Sequence, residues 1–422
     1  ILRTRDEELA ELEGAAPEAA EVEAPRDDGA PPSPEPEDPV AKATAELDAK
    51  LASMGVLVAP PPAEPPEPLT PEKAAEMKAA LQAAGITPPP ELDALLVALA
   101  APDAPAPTPE ATPAPAPAPD ASVLLARLRA RESIAEEDWS GVDLSQQDLR
   151  GLDLSGAIFV GARFVRADLT GARLVGAQLS GTDFTEATLR EATLAQADLD
   201  RATVVRADLS SACLDEAWLE GVELTGSHLP RATAKNAWIV EADLERCHMP
   251  GVVLDGADLS FSNLVDADLR GASLVETTLE SARANRAIFE EADLTKLRAS
   301  EAAIFEGASF KNAKAPGARF QTSNLDKANF SFVDLTRAEL SEASLVQTIM
   351  HGCIVRHGAF RGAKMVGFLA NKADFFEATF EGADLAHADL RGSSLFGAQL
   401  WRARLDGARF ELAELGRTIL AT

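Results

Sequence analysis

From Leu144 to Leu294 an apolar centre recurs at every fifth residue; 26 of the 31 centres are Leu or Phe, the exceptions being Val204, Ala234, Ile239, Met249 and Ala284. A second run from Phe305 to Leu420 adds 24 centres, 19 of them Leu or Phe, with one extra residue between Leu294 and Phe305 shifting the phase. Two places before each centre the residue is Ala in 37 of 55 cases, and most of the others are Ser, Thr, Val or Cys. Neither a helix, with a period of about 3.6, nor a strand, with a period of about 2, generates this spacing. It is an internal repeat, to be read before any other feature.

An apolar centre and the small residue two places earlier lie on the same side of an extended segment, so both point inward and the small one leaves room for neighbouring Leu and Phe. The residue between them then points out, and it is Asp or Asn at Asp143, Asp148, Asp168, Asp208, Asp243, Asp268, Asn324 and Asp389. Of 23 glycines after residue 140, 21 sit two residues after a centre, where a chain turning a corner needs freedom in φ. Each pentapeptide is therefore one side and one corner. Rare residues recur at a spacing of 20: Trp218 and Trp238, His228 and His248, Pro230 and Pro250, Phe376 and Phe396. Four sides per coil fit all four pairs, giving about 14 coils and a rod about 65 Å long at a strand spacing of about 4.8 Å.

Stretches such as Ala167-Asp168-Leu169-Thr170-Gly171 and Ala383-Asp384-Leu385 match the motif A-(D/N)-L-X-X. The chain thus resembles the pentapeptide-repeat family. The resemblance implies an all-β solenoid, a right-handed quadrilateral β-helix, spanning 137–422 with the phase break between 294 and 305. Gln147, Leu152 and Phe368 stand where a small residue belongs, which predicts local irregularity in the first coils and near residue 368.

The first 119 residues follow a different pattern. Of 28 prolines, 25 lie in the first 120 residues, and the run from Ala104 to Pro119 reads as an extended polyproline-type spacer. Within this largely disordered Ala/Pro/Glu-rich tether, short helical patterns fall at about 41–55, 70–85 and 90–101. A firmer one, with Asp120 as cap and Val123, Leu124, Leu128 and Ile134 as its apolar positions, predicts an N-terminal cap helix over 120–136. Ile1 in place of a starting Met suggests a fragment or a processed chain, and whether an N-terminal domain precedes it is left open by the sequence.

Charge narrows the partners. Residues 1–120 carry 24 acidic and 7 basic side chains, and residues 141–422 carry 40 and 29, within a net charge of −29. No basic face is available for phosphates or anionic membrane surfaces, so neither direct nucleic acid binding nor membrane attachment is expected. The longest apolar run of the first third, Ala94 to Ala101, is too short to span a bilayer, and without a signal-peptide pattern the cytoplasm is the expected location. Cys213, Cys247 and Cys353 have no metal-ligand or disulfide spacing.

Candidate chemistry is sparse. All five histidines, His228, His248, His351, His357 and His387, fall at outward positions, and the stack of His228 on His248 between Asp208 and Asp268 is read as a surface row. His351, Cys353 and His357 are close in sequence, yet the register turns Cys353 inward and both histidines outward. No nucleophile elbow, phosphate loop or dinucleotide loop is present, so no catalytic, cofactor or metal site is expected. Protein binding remains. The resemblance extends to pentapeptide tails of adaptor proteins associated with bacterial type VI secretion, which implies a scaffold or adaptor. The alternative, from another branch of the family, is a mimic of duplex DNA that binds DNA gyrase. The expected contact is Trp218 and Trp238 with Val240 and Val253, and second to it Phe376, Phe396 and Trp401. An unpaired edge on the last coil predicts an end-to-end homodimer or a cap from another chain.

Overall fold

The computed structural model describes residues 120–419; the predicted tether helices at 41–55, 70–85 and 90–101 lie outside them. From Asp138 to Ile419 each outward residue pairs in parallel with the residue one coil on, 20 places away except across the phase break, as in Asp148 with Asp168 and Asp168 with Thr188. Four such columns run along the rod, one per side.

The backbone explains the motif. In the pentapeptide 168–172 the Leu169 and Gly171 N–H groups donate to Thr188 and Arg190 of the next coil (both 2.7 Å), and Asp168 N–H donates back to Gln147 (2.9 Å). Ala172 N–H closes the corner on the Leu169 carbonyl at 2.9 Å, and the remaining donor, Thr170 N–H, is taken by Asp168 Oδ1 at 3.0 Å. All five backbone donors are satisfied. The outward Asp or Asn is thus more than the solvated residue that the register predicts: it caps the corner, as Asp148 does for Arg150, Asn263 for Val265 and Asn329 for Ser331.

The second residue of each corner has left-handed φ, which costs a residue other than Gly about 1–2 kcal/mol. Even Phe332 adopts it, with φ 62°, and its ring covers the next corner so closely that a Cβ on Gly352 would meet it at 2.8 Å. A side chain at position 352 would have to push that ring aside.

At the phase break the columns continue through one coil of 21 residues, from Arg283 paired with Ile304 to Arg298 paired with Arg319, and return to 20 at Ile304 with Asn324. The added residue sits in a corner where Glu301 and Ala302 both have left-handed φ and Ser281 Oγ donates to the Glu301 carbonyl at 2.8 Å. Because the addition follows Ala299, Leu297 stays buried and Arg298 stays in its column.

Leu297 takes the slot of a small residue while Ala299 stands at the centre, and Phe368 with Ala370 repeats this exchange; all four are buried. The expected irregularity near residue 368 is therefore absent, and Leu369 keeps its bridges to Ile349 and Asp389. In the first coils Gln147 and Leu152 are only half-buried, yet the Asp148 and Asp153 bridges persist. Phe289, Phe310 and Phe330 stack at 5.0 and 4.4 Å in the stretch where Ala284, Ala299 and Ala315 leave space. Ala234 lacks such compensation, and Leu214, Leu229, Ile239, Met249 and Leu254 surround a void of about 20 Å³ beside it.

Helix α1, Ala121–Arg129, buries Leu124, Leu125 and Leu128 against the first coils, with Asp120 accepting from Ser122 N–H at 2.8 Å. It is shorter than the predicted 120–136 because Arg131 and Glu136 take left-handed φ, and Glu136 N–H already bonds to Gly156 of the next coil. Val123, expected inward, is exposed, and Leu125 is buried instead.

Candidate partner-binding face

One column reads Asp198, Trp218, Trp238, Asp258, Thr278. As the register places them outward on successive coils, the two indoles stack, 6.1 Å between centroids and 30° between planes. They are 57% and 45% exposed, an uncommon state for paired tryptophans. Val240 is half-buried at the corner that follows Trp238, and Val253 is half-buried on the adjoining side. Next to Trp218, a groove of about 380 Å³ is lined by Gln178, Gln196, Asp198, Asp200 and Glu220.

Phe376 and Phe396 stack at 5.8 Å on the corner leading into the Thr379–Gln399 stretch of the same column, and Trp401 lies on the corner leaving it. These aromatics flank the side from opposite corners, rather than forming one patch. Two of the three already carry a cation: the Arg402 guanidinium lies 4.1 Å over Trp401, and that of Arg417 lies 5.7 Å from Phe396. Among the described residues no arginine or lysine covers Trp218 or Trp238 in this way.

Over the three coils of Asp198, Trp218 and Trp238, the outward and corner positions of this face carry Asp198, Asp200, Asp215, Glu216, Glu220 and Glu241 against Arg201 and Lys235, so 6 − 2 leaves a net charge of −4. The face bearing Asp208, His228 and His248 carries Asp208 and Glu245 against Arg206, Arg231 and Arg246, so 3 − 2 leaves +1. On that face carboxylates are paired, Asp208 with Arg190 and Asp268 with Arg270 and with His248 Nδ1 at 3.1 Å. None of the six acids around the tryptophans belongs to an ion pair among the described residues. Register arithmetic could have found them, since Asp200 and Glu220 are 20 apart.

His228 and His248 meet edge to face at 5.5 Å. Cys353 is buried and donates to the Phe330 carbonyl at 2.7 Å, while His351 is half-buried outside it with its pKa lowered by desolvation. Among the described residues no three His, Cys, Asp or Glu side chains gather in a metal-holding arrangement, and no helix is long and apolar enough to cross a membrane.

The sequence pattern of pentapeptide repeats matches in eight copies, covering 140–226, 239–274, 303–367 and 373–411, together more than half of the 422 residues. The chain belongs to the pentapeptide-repeat family. Pentapeptide-repeat proteins form right-handed quadrilateral β-helices, and the four columns described above are the sides of one. Among solved structures the chain is similar to HetL, a pentapeptide-repeat protein involved in heterocyst differentiation regulation in the cyanobacterium Nostoc sp. strain PCC 7120: 25% identity, 70% of this chain and 95% of HetL, TM-score 0.15. It is also similar to a trypsin-treated variant of QnrB1, a plasmid-mediated fluoroquinolone resistance protein: 23% identity, 49% of this chain and 91% of QnrB1, TM-score 0.22. No curated protein sequence matches it.

Proposed function

We propose that this pentapeptide-repeat rod is a non-enzymatic scaffold or adaptor whose tryptophan face holds a protein partner. The observation that carries the reading is the exposed stack of Trp218 on Trp238, on a backbone hydrogen-bonded to the coils on both sides, as Trp218 N–H is to the Ala197 carbonyl and Leu219 N–H to that of Trp238. Aromatic side chains on a fixed platform lose little entropy when a partner covers them. The DNA mimic asks for unbroken acidic rows, whereas the columns mix signs, as in Asp143, Arg163, Asp183; this favours the adaptor. Neither HetL nor QnrB1 is described in terms of secretion, so the partner is defined here by chemistry alone.

The test is affinity capture from the source organism with the immobilised full chain, followed by mass spectrometry. The double variant Trp218→Ala/Trp238→Ala loses the specific partner while its melting temperature stays within about 2 °C of the parent, as for outward substitutions. Unchanged capture overturns the contact.

A second element of the proposal is end-to-end pairing through the last described coil, where Leu405 and Phe410 are half-buried and Leu415 and Ile419 exposed. Light scattering that gives a strict monomer at all concentrations removes it.

A further inference from the structure

We infer that the tryptophan face takes a cationic segment of its partner, an extended stretch bearing arginine or lysine. The inference rests on the reading of this face as the protein contact and adds the chemistry of what it contacts. Two independent features point to it. The first is charge: six carboxylates around the indoles leave a net −4, and none of them is neutralised by an ion pair, although carboxylates on the histidine face are. The second is the open indole faces. The rod covers its other exposed tryptophan with its own guanidinium, Arg402 over Trp401, and Phe396 with Arg417, but supplies none for Trp218 or Trp238. An aromatic face attracts a cation through its quadrupole, and carboxylates at its rim strengthen that attraction. The groove lined by Asp198, Asp200 and Glu220 continues the surface from Trp218 toward the N-terminal coils, so an extended chain can place one cation on the indoles and another among these acids. Arg201, next to Asp200, and Lys235, on the corner before Trp238, are the two cations of the face, outnumbered by its carboxylates.

The experiment uses the full chain and two synthetic probes, an alternating Arg-Ser peptide and an alternating Glu-Ser peptide of the same length, titrated by tryptophan fluorescence at low and physiological salt. The Arg-Ser peptide binds saturably and more weakly as salt rises, and the Glu-Ser peptide does not bind. Trp218→Ala/Trp238→Ala, followed by calorimetry because its fluorescence changes, weakens binding at least tenfold; Asp200→Asn/Glu220→Gln weakens it severalfold; Trp401→Ala leaves it unchanged. Equal affinity for the parent and the tryptophan variant means general attraction to an acidic protein and overturns the inference, as does absence of binding to the parent. Partner capture separates the two readings. If Asp200→Asn/Glu220→Gln captures the partner normally while the tryptophan variant does not, the contact stands and its cationic partner falls. If the tryptophan variant captures normally, the contact itself falls.

Discussion

Phe368 fills the room that Ala370, two residues later, leaves at the centre of its side, and both are fully buried without disturbing the bridges of Leu369 between them. The inward slots of a pentapeptide therefore share one volume, and which of the two holds the large residue is secondary.

Phe368→Ala accordingly costs about 3–5 kcal/mol. The exchange Phe368→Ala/Ala370→Phe recovers most of it. Chemical unfolding of the single and double variants measures both, and a double variant as unstable as the single one would show that the slots are independent.

The void beside Ala234 lets a larger residue in. Ala234→Val is expected to raise stability by about 0.5–1 kcal/mol, within the usual return of filling a cavity. A lowered melting temperature would mean that the surrounding leucines cannot yield.

Leu264 is inward and fully buried, whereas Asp268 is an outward cap on Arg270 N–H at 3.2 Å. Leu264→Asp destabilises the rod by several kcal/mol because the carboxylate has no partner inside. Asp268→Ala costs about 1 kcal/mol, the loss of a cap, and Asp268→Asn restores most of that. Comparable melting shifts for Leu264→Asp and Asp268→Ala would contradict the register.

The corner caps also set the response to acid. Hydrogen bonds from Ser140, Ser145 and Ser155 hold Asp138, Asp143 and Asp153 below the usual carboxylate range, and Arg150 holds Asp148 at about 2. The unfolded chain, with aspartates near pKa 4, binds more protons in this window than the folded rod, so stability is present above about pH 4 and falls as pH drops toward 2. Denaturant midpoints at pH 6, 4 and 3 test the sign; a midpoint that rises on acidification rejects it.

Burial pushes the Cys247 and Cys353 thiols up to about 12, and both donate to buried carbonyls, of Leu224 and Phe330. At pH 8 a thiol reagent should modify only half-buried Cys213 in the native rod, and all three thiols after denaturation. Rapid labelling of all three without denaturant would mean that the coils open locally.

The inside of the rod was legible because a five-residue period admits one register, which identified the inward centres, the column of Trp218 and the two aromatic groups. Three things were not. Compensation between Phe368 and Ala370 depends on volumes in neighbouring coils, so the motif marks only a violation. The capping role of Asp168 depends on which backbone donor is left over, which no side-chain pattern reveals. The arginines over Trp401 and Phe396 depend on corner geometry, and they separate the occupied aromatics from the open ones.

The coil of 21 residues implies that position on this molecule is counted in corners. A residue added at a corner, as beside Glu301, is absorbed there, and everything beyond keeps its compass bearing. Loss of one whole pentapeptide between Trp218 and Trp238 would leave the hydrophobic interior just as regular, yet it would rotate the remainder by a quarter turn and put the two indoles on different walls. Length can therefore drift in units of five without harm to folding, while any surface that spans two coils tolerates change only in units of a full turn.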